Sequence, residues 1–210
     1  MIKPELYIGL MSGTSADGID LALVDFQSGE PSVVASYFQP YSAETYQKIT
    51  SLYTPANNEI DQAFALDIEL AHLFSNAIKC FLSEQKIQTK DIIAIGNHGQ
   101  TIRHRPNQNH AFTLQIGCSQ TLATHTGIRV VGDFRTKDMA LGGQGAPLVP
   151  AFHKALFSQH DHDVFVVNIG GIANITYLPY LNDINIQGFD TGPGNALLDD
   201  WYKKHNSGQY

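Results

Sequence analysis

Apolar and polar positions alternate with two different periods along this chain. An apolar run over 6–11 and an alternating run over 19–26 flank a short polar stretch. Two strands about a turn rich in Gly and Ser make a hairpin. Ser28-Gly29-Glu30-Pro31 reads as another turn and 33–41 as a third strand, so the chain opens on an antiparallel sheet. The period then lengthens. Ser42 stands where it would N-cap a short helix over 43–52, which Tyr53-Thr54-Pro55 ends. Asn57 or Asn58 caps the next helix, with Asp61 in its first turn, where a carboxylate suits the helix dipole. Ile60, Phe64, Ile68, Ala71, Phe74, Ile78 and Phe81 recur every three or four residues up to about Glu84. That spacing predicts one long amphipathic helix with a single core face.

Short apolar strands then alternate with helices. Residues 92–95 predict a buried strand that ends in a polar loop, Gly96-Asn97-His98-Gly99-Gln100-Thr101. Ligands bind at such strand ends in α/β sheets. A strand over 112–116 follows, then a helix over 118–126 stopped by Gly127. A strand over 129–132 runs into polar Asp133-Phe134-Arg135, and the Gly-rich stretch 141–147 precedes a helix over 148–157. The polar segment 158–163 marks the expected boundary between a first domain, 1–157, and the start of a second, 158–210. Beyond it, 164–169 reads as a fully buried strand, Gly170-Gly171-Ile172-Ala173-Asn174 as a turn and 175–178 as the returning strand. The opening device thus recurs in kind, though weakly in identity. A strand over 184–189 leads into Asp190-Thr191-Gly192-Pro193-Gly194-Asn195, a helix over 196–204 and a polar tail. So few elements leave the apolar faces of the second unit short of partners, and the chain reads as cut short at its C-terminal end.

Composition narrows the class. The 210 residues are 43% hydrophobic and 10% aromatic, enough for a packed core and unlike a disordered chain. A net charge of −7 and a pI of about 5.6 count against a nucleic-acid backbone binder, but not against one locally held phosphate. Cys80 and Cys118 are far apart and in no metal spacing. They suit a reducing compartment, with Cys80 expected as a small core residue. No signal-peptide pattern opens the chain and no apolar run reaches membrane-span length. The expectation is a soluble cytoplasmic protein with no membrane or nucleic-acid partner.

The opening turn carries the first candidate chemistry. In Gly9-Leu10-Met11-Ser12-Gly13-Thr14-Ser15-Ala16-Asp17-Gly18-Ile19-Asp20, Gly13 and Gly18 permit positive φ, so that successive N–H groups can converge on an anion. Ser12, Thr14 and Ser15 add hydroxyls, and Asp17 or Asp20 could hold a metal through water. An ordinary Gly/Ser turn would look similar, but the density of hydroxyls and carboxylates favours the anion site. Two such turns, one per unit, imply a nucleotide held between them. No Gly-x-x-x-x-Gly-Lys-Ser/Thr loop, Gly-x-Gly-x-x-Gly turn or Gly-x-Ser-x-Gly elbow is present, which disfavours Walker-type, dinucleotide-binding and elbow-hydrolase chemistries. His98, His104 and His110 match no zinc spacing. Phosphoryl transfer needs positioning, charge stabilisation and one carboxylate for the nucleophile. Asp133 and Asp190 stand at strand ends suited to that role, and a turn or cap aspartate would look the same. Arg103 and Arg135 are candidate clamps for sugar or phosphate.

Taken in order, the 9–20 stretch, Gly99-Gln100-Thr101 after His98, Gly142-Gly143-Gln144-Gly145-Ala146-Pro147-Leu148-Val149-Pro150, Asn168-Ile169-Gly170-Gly171 and Phe189-Asp190-Thr191-Gly192-Pro193-Gly194-Asn195 resemble the anhydro-N-acetylmuramic acid kinases. The resemblance covers nearly the whole chain. It implies an α/β, actin-like ATPase (ribonuclease H-like) domain with a mixed sheet, followed by the start of a second similar domain. It also implies a reaction in which ATP, water and 1,6-anhydro-N-acetylmuramic acid give N-acetylmuramic acid 6-phosphate and ADP, in peptidoglycan recycling. Matched to the family motif, Asp190 is the general base for water. Ser12, Gly13, Thr14 and Ser15 meet the phosphates, and Gly170 and Gly171 form the second phosphate turn, beside Asn174. Asp17 and Asp20 organise the hairpin or the Mg²⁺ water shell. His98, Gln100, Thr101, Asp133 and Arg135 fall in the sugar pocket. ATP and Mg²⁺ are the implied cofactors, no dedicated metal site is expected, and a homodimer is hinted at.

The family pattern continues past residue 210 with the adenine-binding segment, so these 210 residues alone are expected to bind ATP poorly and to lack turnover. Two other readings stand beside the anhydro-sugar kinase. One is a non-catalytic actin-like module that binds a sugar or a partner protein. The other is a kinase of the same superfamily with a different small acceptor. Shared fold does not choose among them.

Overall fold

The structure is a computed structural model that describes residues 4–180 and 185–206. Its contacts divide the chain into two units, with the division after Thr136. The sequence places the boundary at 157/158. The difference has a local cause: a helix at Pro150–Phe157 packs on the strands Val164–Ile169 and Ile172–Leu178 that follow it, so it belongs with them rather than with the chain before it.

The first unit is built on a mixed sheet. Strands β1 (Leu6–Ser12) and β2 (Gly18–Asp25) form the expected hairpin, and β3 (Ser32–Pro40) pairs antiparallel with β2. Strand β4 (Ile92–Arg105) runs parallel to β1, then pairs antiparallel with β5 (Phe112–Ile116) and parallel with short β6 (Val130–Val131). The order β3-β2-β1-β4-β5 is the mixed sheet expected of an actin-like domain. Period-two alternation buries Leu6, Ile8, Leu10 and Ser12 on one face of β1, and Ile19, Leu21 and Leu23 on β2.

Helix α1 (Ala43–Ser51) begins as expected, with the Ser42 side chain accepting from the Thr45 N–H at 3.1 Å. Helix α2 (Glu59–Glu84) is as long as its periodicity predicts, and Asp61 lies in its first turn. Neither asparagine caps it through a side chain. Asn58 takes a left-handed conformation at φ 54 and makes no side-chain cap bond. The single core face holds only for the later part of the helix. Leu70, Ala71, Phe74, Ala77, Ile78 and Phe81 are buried, whereas Ile60 and Phe64 are 70% and 71% exposed and Ile68 is also exposed. A 26-residue helix is about 39 Å long, while the seven residues of β1 span only about 23 Å. The helix therefore outruns the strand, and its first turns carry the apolar rhythm past the core. Cys80, expected in the core, is exposed on the outer side of α2.

Further along, helix α3 (Ser119–Thr126) stops at Gly127 in the left-handed conformation, φ 70. The polar segment after β6 is itself helical, α4 (Phe134–Ala140). Its mixed composition conceals this in the sequence.

The second unit repeats the opening topology. After α5 (Pro150–Phe157), strands β7 (Val164–Ile169), β8 (Ile172–Leu178) and β9 (Gln187–Pro193) form an antiparallel sheet in the order β7-β8-β9, and α6 (Ala196–His205) follows. The expected start of the last strand at Ile184 lies outside the described residues. Strand β7 is not fully buried: Phe165, Val167 and Ile169 are exposed.

Candidate active site

The β1–β2 turn is the first part of the site. It is a four-residue turn closed by the Ala16 N–H donating to the Gly13 carbonyl at 3.1 Å. The left-handed residue is Ala16, φ 51, rather than Gly13 or Gly18. Gly18 is needed for a different reason. A Cβ there would lie 2.4 Å from the Gln39 carbonyl oxygen and 2.6 Å from the Phe38 ring, so only glycine lets β3 close on β2. Thr14, Ser15 and Asp17 are exposed, and the Ser15 hydroxyl donates to Asp17 Oδ1 at 2.6 Å. Ser12 faces the other way. It is 1% exposed and bonds inward to Gln100 Oε1, to the Tyr41 hydroxyl at 2.9 Å and to the Gly18 carbonyl at 3.3 Å. On β2, Asp20 has its carboxyl pushed above the usual range by partial burial and by the neighbouring Asp17 charge.

A second part lies where β4 leaves β6 and takes up β5. The expected polar loop at 96–101 belongs to strand β4 here, bulged at His98 and Gly99 where the β1 register shifts between Asn97 and Gln100, with Gly99 at φ 70, before pairing is taken up by β5 at Gln100. A cavity of about 240 Å³ opens beside it, lined by Asp67 of α2, Asn97, His98 and Gly99 of β4, Gln115 and Ile116 of β5, the segment 117–120 and Asp133. Asp67 Oδ1 accepts the Gly117 N–H at 2.7 Å; burial raises its pKa, and that bond offsets the effect in part. Asn97 donates to the Gly117 carbonyl at 2.8 Å and to Ser119 Oγ at 3.1 Å, and accepts the Gly99 N–H at 3.0 Å. Gly117 sits at φ 115, where a Cβ would stand 2.3 Å from the Phe74 ring, so α2 presses directly on this wall.

His98 has a defined tautomer. Arg135 Nε–H donates to His98 Nε2 at 2.8 Å, so the ring proton is on Nδ1 and is given to the Gly99 carbonyl at 2.7 Å. Burial, then the Arg135 charge, push the His98 pKa below its ordinary value. Asp133, φ 58, precedes α4 and lines the same cavity. Of the five expected sugar-pocket residues, the structure thus gathers His98, Asp133 and, through His98, Arg135. Thr101 is one step removed, its Oγ1 accepting from the cavity residue Gln115 at 3.1 Å. Gln100 is fully buried beneath the hairpin and does not line the cavity. Arg103 is a tie between elements, pairing with Glu59 at 2.8 Å and with the Leu52 carbonyl at 3.1 Å. Asp67, Gln115, Cys118, Ser119 and Gln120 were not foreseen, because nothing in their local sequence marks them.

The second unit holds the remaining candidates. Gly170 and Gly171 form the β7–β8 turn, and their carbonyls accept the Asn195 and Gly194 N–H groups at 2.8 and 2.9 Å. A Cβ on Gly194 would lie 2.2 Å from the Gly170 carbonyl oxygen, so that closure requires glycine. Asp190 lies within β9, is exposed, and pairs across the ladder with Asn174, whose buried Oδ1 has no hydrogen-bond partner. Among the described residues, no three His, Cys, Asp or Glu side chains gather as a metal-ligand group.

Residues 5–210 match the family "Anhydro-N-acetylmuramic acid kinase". A relative of that name from Colwellia psychrerythraea is 69% identical over 204 residues, covering 95% of this chain and 51% of its own length. Another, from Saccharophagus degradans, is 51% identical over 212 residues, covering 100% and 57%. The chain thus spans about half the length of the curated relatives it matches. Among solved structures, an exopolyphosphatase from Cytophaga hutchinsonii is similar with a TM-score of 0.44 at 10% identity, over 95% of this chain and 60% of that one. No helix among the described residues is long and apolar enough to cross a membrane. With the match running from Glu5 through both strand hairpins and Asp190 to the last residue, the chain belongs to the anhydro-N-acetylmuramic acid kinase family.

Proposed function

We propose that this chain supplies the phosphate hairpin, the sugar pocket and the catalytic carboxylate of an ATP-dependent kinase. The kinase opens 1,6-anhydro-N-acetylmuramic acid with water and phosphorylates it to N-acetylmuramic acid 6-phosphate, a step of cytoplasmic peptidoglycan recycling. The observation that carries the proposal is the family match over residues 5–210, including every candidate site residue. The cavity beside β4 supports it: amide, hydroxyl and carboxylate groups around a small volume suit a ligand with several hydroxyls and an amide.

In this reading Asp190 takes a proton from water as the water oxygen attacks the anomeric carbon. The C1–O6 bridge breaks, and O6 takes the γ-phosphoryl group from ATP, releasing ADP. Gly13, Thr14 and Ser15 form the phosphate turn of the first unit, and Gly170 and Gly171 that of the second. His98, Asp133 and Arg135 bind the sugar, and Thr101 positions Gln115 beside it. The neutral, Nδ1-protonated His98 keeps its ring fixed by two bonds. Mg²⁺, when bound with ATP, would neutralise phosphate charge. Asp17 and Asp20 fit it as an outer carboxylate pair: burial, then the Asp17 charge, push the Asp20 carboxyl above its ordinary value, and a nearby cation would relieve that cost. Such a cation arrives with the phosphates and takes most of its ligands from them and from water.

The test is a chimera of residues 1–210 with the part of the Colwellia psychrerythraea relative that this chain does not cover. Asp190→Asn should lower kcat by about two decades or more with nucleotide affinity retained, as for loss of a general base. An unchanged kcat would move the role to Asp133 or another group.

A further inference from the structure

The hairpin turn rests on a chain of side-chain hydrogen bonds from elements distant in sequence. Tyr41, at the end of β3, meets Ser12 Oγ at 2.9 Å. The Ser12 hydroxyl has one proton and gives it to Gln100 Oε1, so the Tyr41 hydroxyl is the donor to Ser12. With its Oε1 so fixed, Gln100 turns Nε2 to the Gly13 carbonyl at 3.0 Å and to the Tyr53 hydroxyl at 3.3 Å. The Tyr53 hydroxyl in turn donates to the Thr14 carbonyl at 2.9 Å. Two successive carbonyls of the turn, Gly13 and Thr14, are thereby held from beneath.

A trans peptide is planar, with C=O and N–H on opposite sides. Drawing the Gly13 carbonyl inward turns the Thr14 N–H outward, and drawing the Thr14 carbonyl inward does the same for the Ser15 N–H. Neither N–H has a partner among the described residues. Two adjacent outward N–H groups in a turn that ends in a left-handed residue make an anion nest. We infer that Gln100 and Tyr53 are positioning residues that preset this nest for the phosphates of the nucleotide, an inference that rests on the phosphate-binding reading of the hairpin. They act from beneath the turn and touch no substrate. Burial pushes the Tyr53 hydroxyl up to about 12, and the Tyr41 hydroxyl likewise. Both therefore stay protonated donors throughout the neutral range. The same geometry explains why Gln100, expected in the sugar pocket, is fully buried under the turn instead.

The experiment is amide and carbonyl NMR on the chimera that adds the part of the Colwellia psychrerythraea relative this chain does not cover, free and titrated with millimolar Mg·ATP, for wild type, Tyr53→Phe and Gln100→Glu. Tyr53→Phe removes one hydroxyl without changing shape; Gln100→Glu keeps the acceptor for Ser12 and removes the donor to Gly13. In the free protein, Tyr53→Phe should move the Thr14 carbonyl signal with the melting temperature within about 3 °C of wild type; Gln100→Glu should move that of Gly13 and lower the melting temperature further, because its buried carboxyl faces the Gly13 and Thr101 carbonyls. On titration, the Thr14 and Ser15 amides of wild type should shift; Tyr53→Phe should weaken that response about threefold to tenfold, one lost hydrogen bond, and Gln100→Glu, which loses the Nε2 bonds to Gly13, Tyr53 and Thr101, at least as much. Amides of the β7–β8 turn should be unaffected by either substitution. Wild-type shifts with unchanged variant affinities would overturn the positioning role alone. Unmoved carbonyl signals in the free variants would overturn the brace itself. No wild-type response at Thr14 and Ser15 would overturn the phosphate-binding reading, and the positioning role with it.

Discussion

His98 shows how one side chain links geometry to pH. Its Nε2 accepts from Arg135 and its Nδ1–H donates to Gly99, so a second ring proton would have to displace the guanidinium. Its pKa is below the ordinary value near 6.5, through burial first and the Arg135 charge second. The unfolded chain then binds more protons than the folded one once the pH falls through the ordinary value. Stability from this group is complete above about pH 6.5 and is lost as pH drops through that value toward the folded pKa. Ring-proton NMR should find His98 titrating below its ordinary value. In urea unfolding, wild type should lose more stability than His98→Gln between pH 7.5 and pH 5; equal losses would reject the assignment. The motif containing His98 was legible in the sequence, but its tautomer was not, because Arg135 is 37 positions away.

At the scale of elements, α2 separates periodicity from burial. Its rhythm predicted the helix, and the structure agrees over Glu59–Glu84. The same rhythm placed Phe64 and Phe74 on one core face, yet Phe74 is fully buried and Phe64 is exposed. Phe74→Ala should cost about 3–5 kcal/mol, whereas Phe64→Ala should stay within about 0.5 kcal/mol, both read from denaturant midpoints. A large loss at Phe64 would mean that this face is covered in solution. Strand β4 teaches the complementary lesson. Its glycines and polar residues read as a loop, but pairing with β1 up to Gln100 and with β5 from Gln100 onward carries the strand through to Arg105. Local composition cannot report a ladder whose partners, β1 and β5, come from elsewhere in the chain.

On the scale of the whole molecule, nearly all of the buried apolar core among the described residues belongs to the first unit: of those residues, Leu178 is the buried apolar side chain that lies outside it. Residues 1–136 expressed alone should therefore unfold in a single cooperative thermal transition; a broad, non-cooperative melt would refute that. The sequence by itself determined the hairpins, the helix periods and the ordered motifs that identify the family, because these depend on alternation, capping and turn chemistry within a few residues. Tertiary structure alone decided which face of α2 is core, that Gln100 lies under the β1–β2 turn while His98 and Asp133 line a cavity, and that Asp67 and Gln115 join them. Those outcomes depend on strand partners, on the reach of a helix across a shorter sheet, and on hydrogen bonds between residues dozens of positions apart, none of which has a local signature.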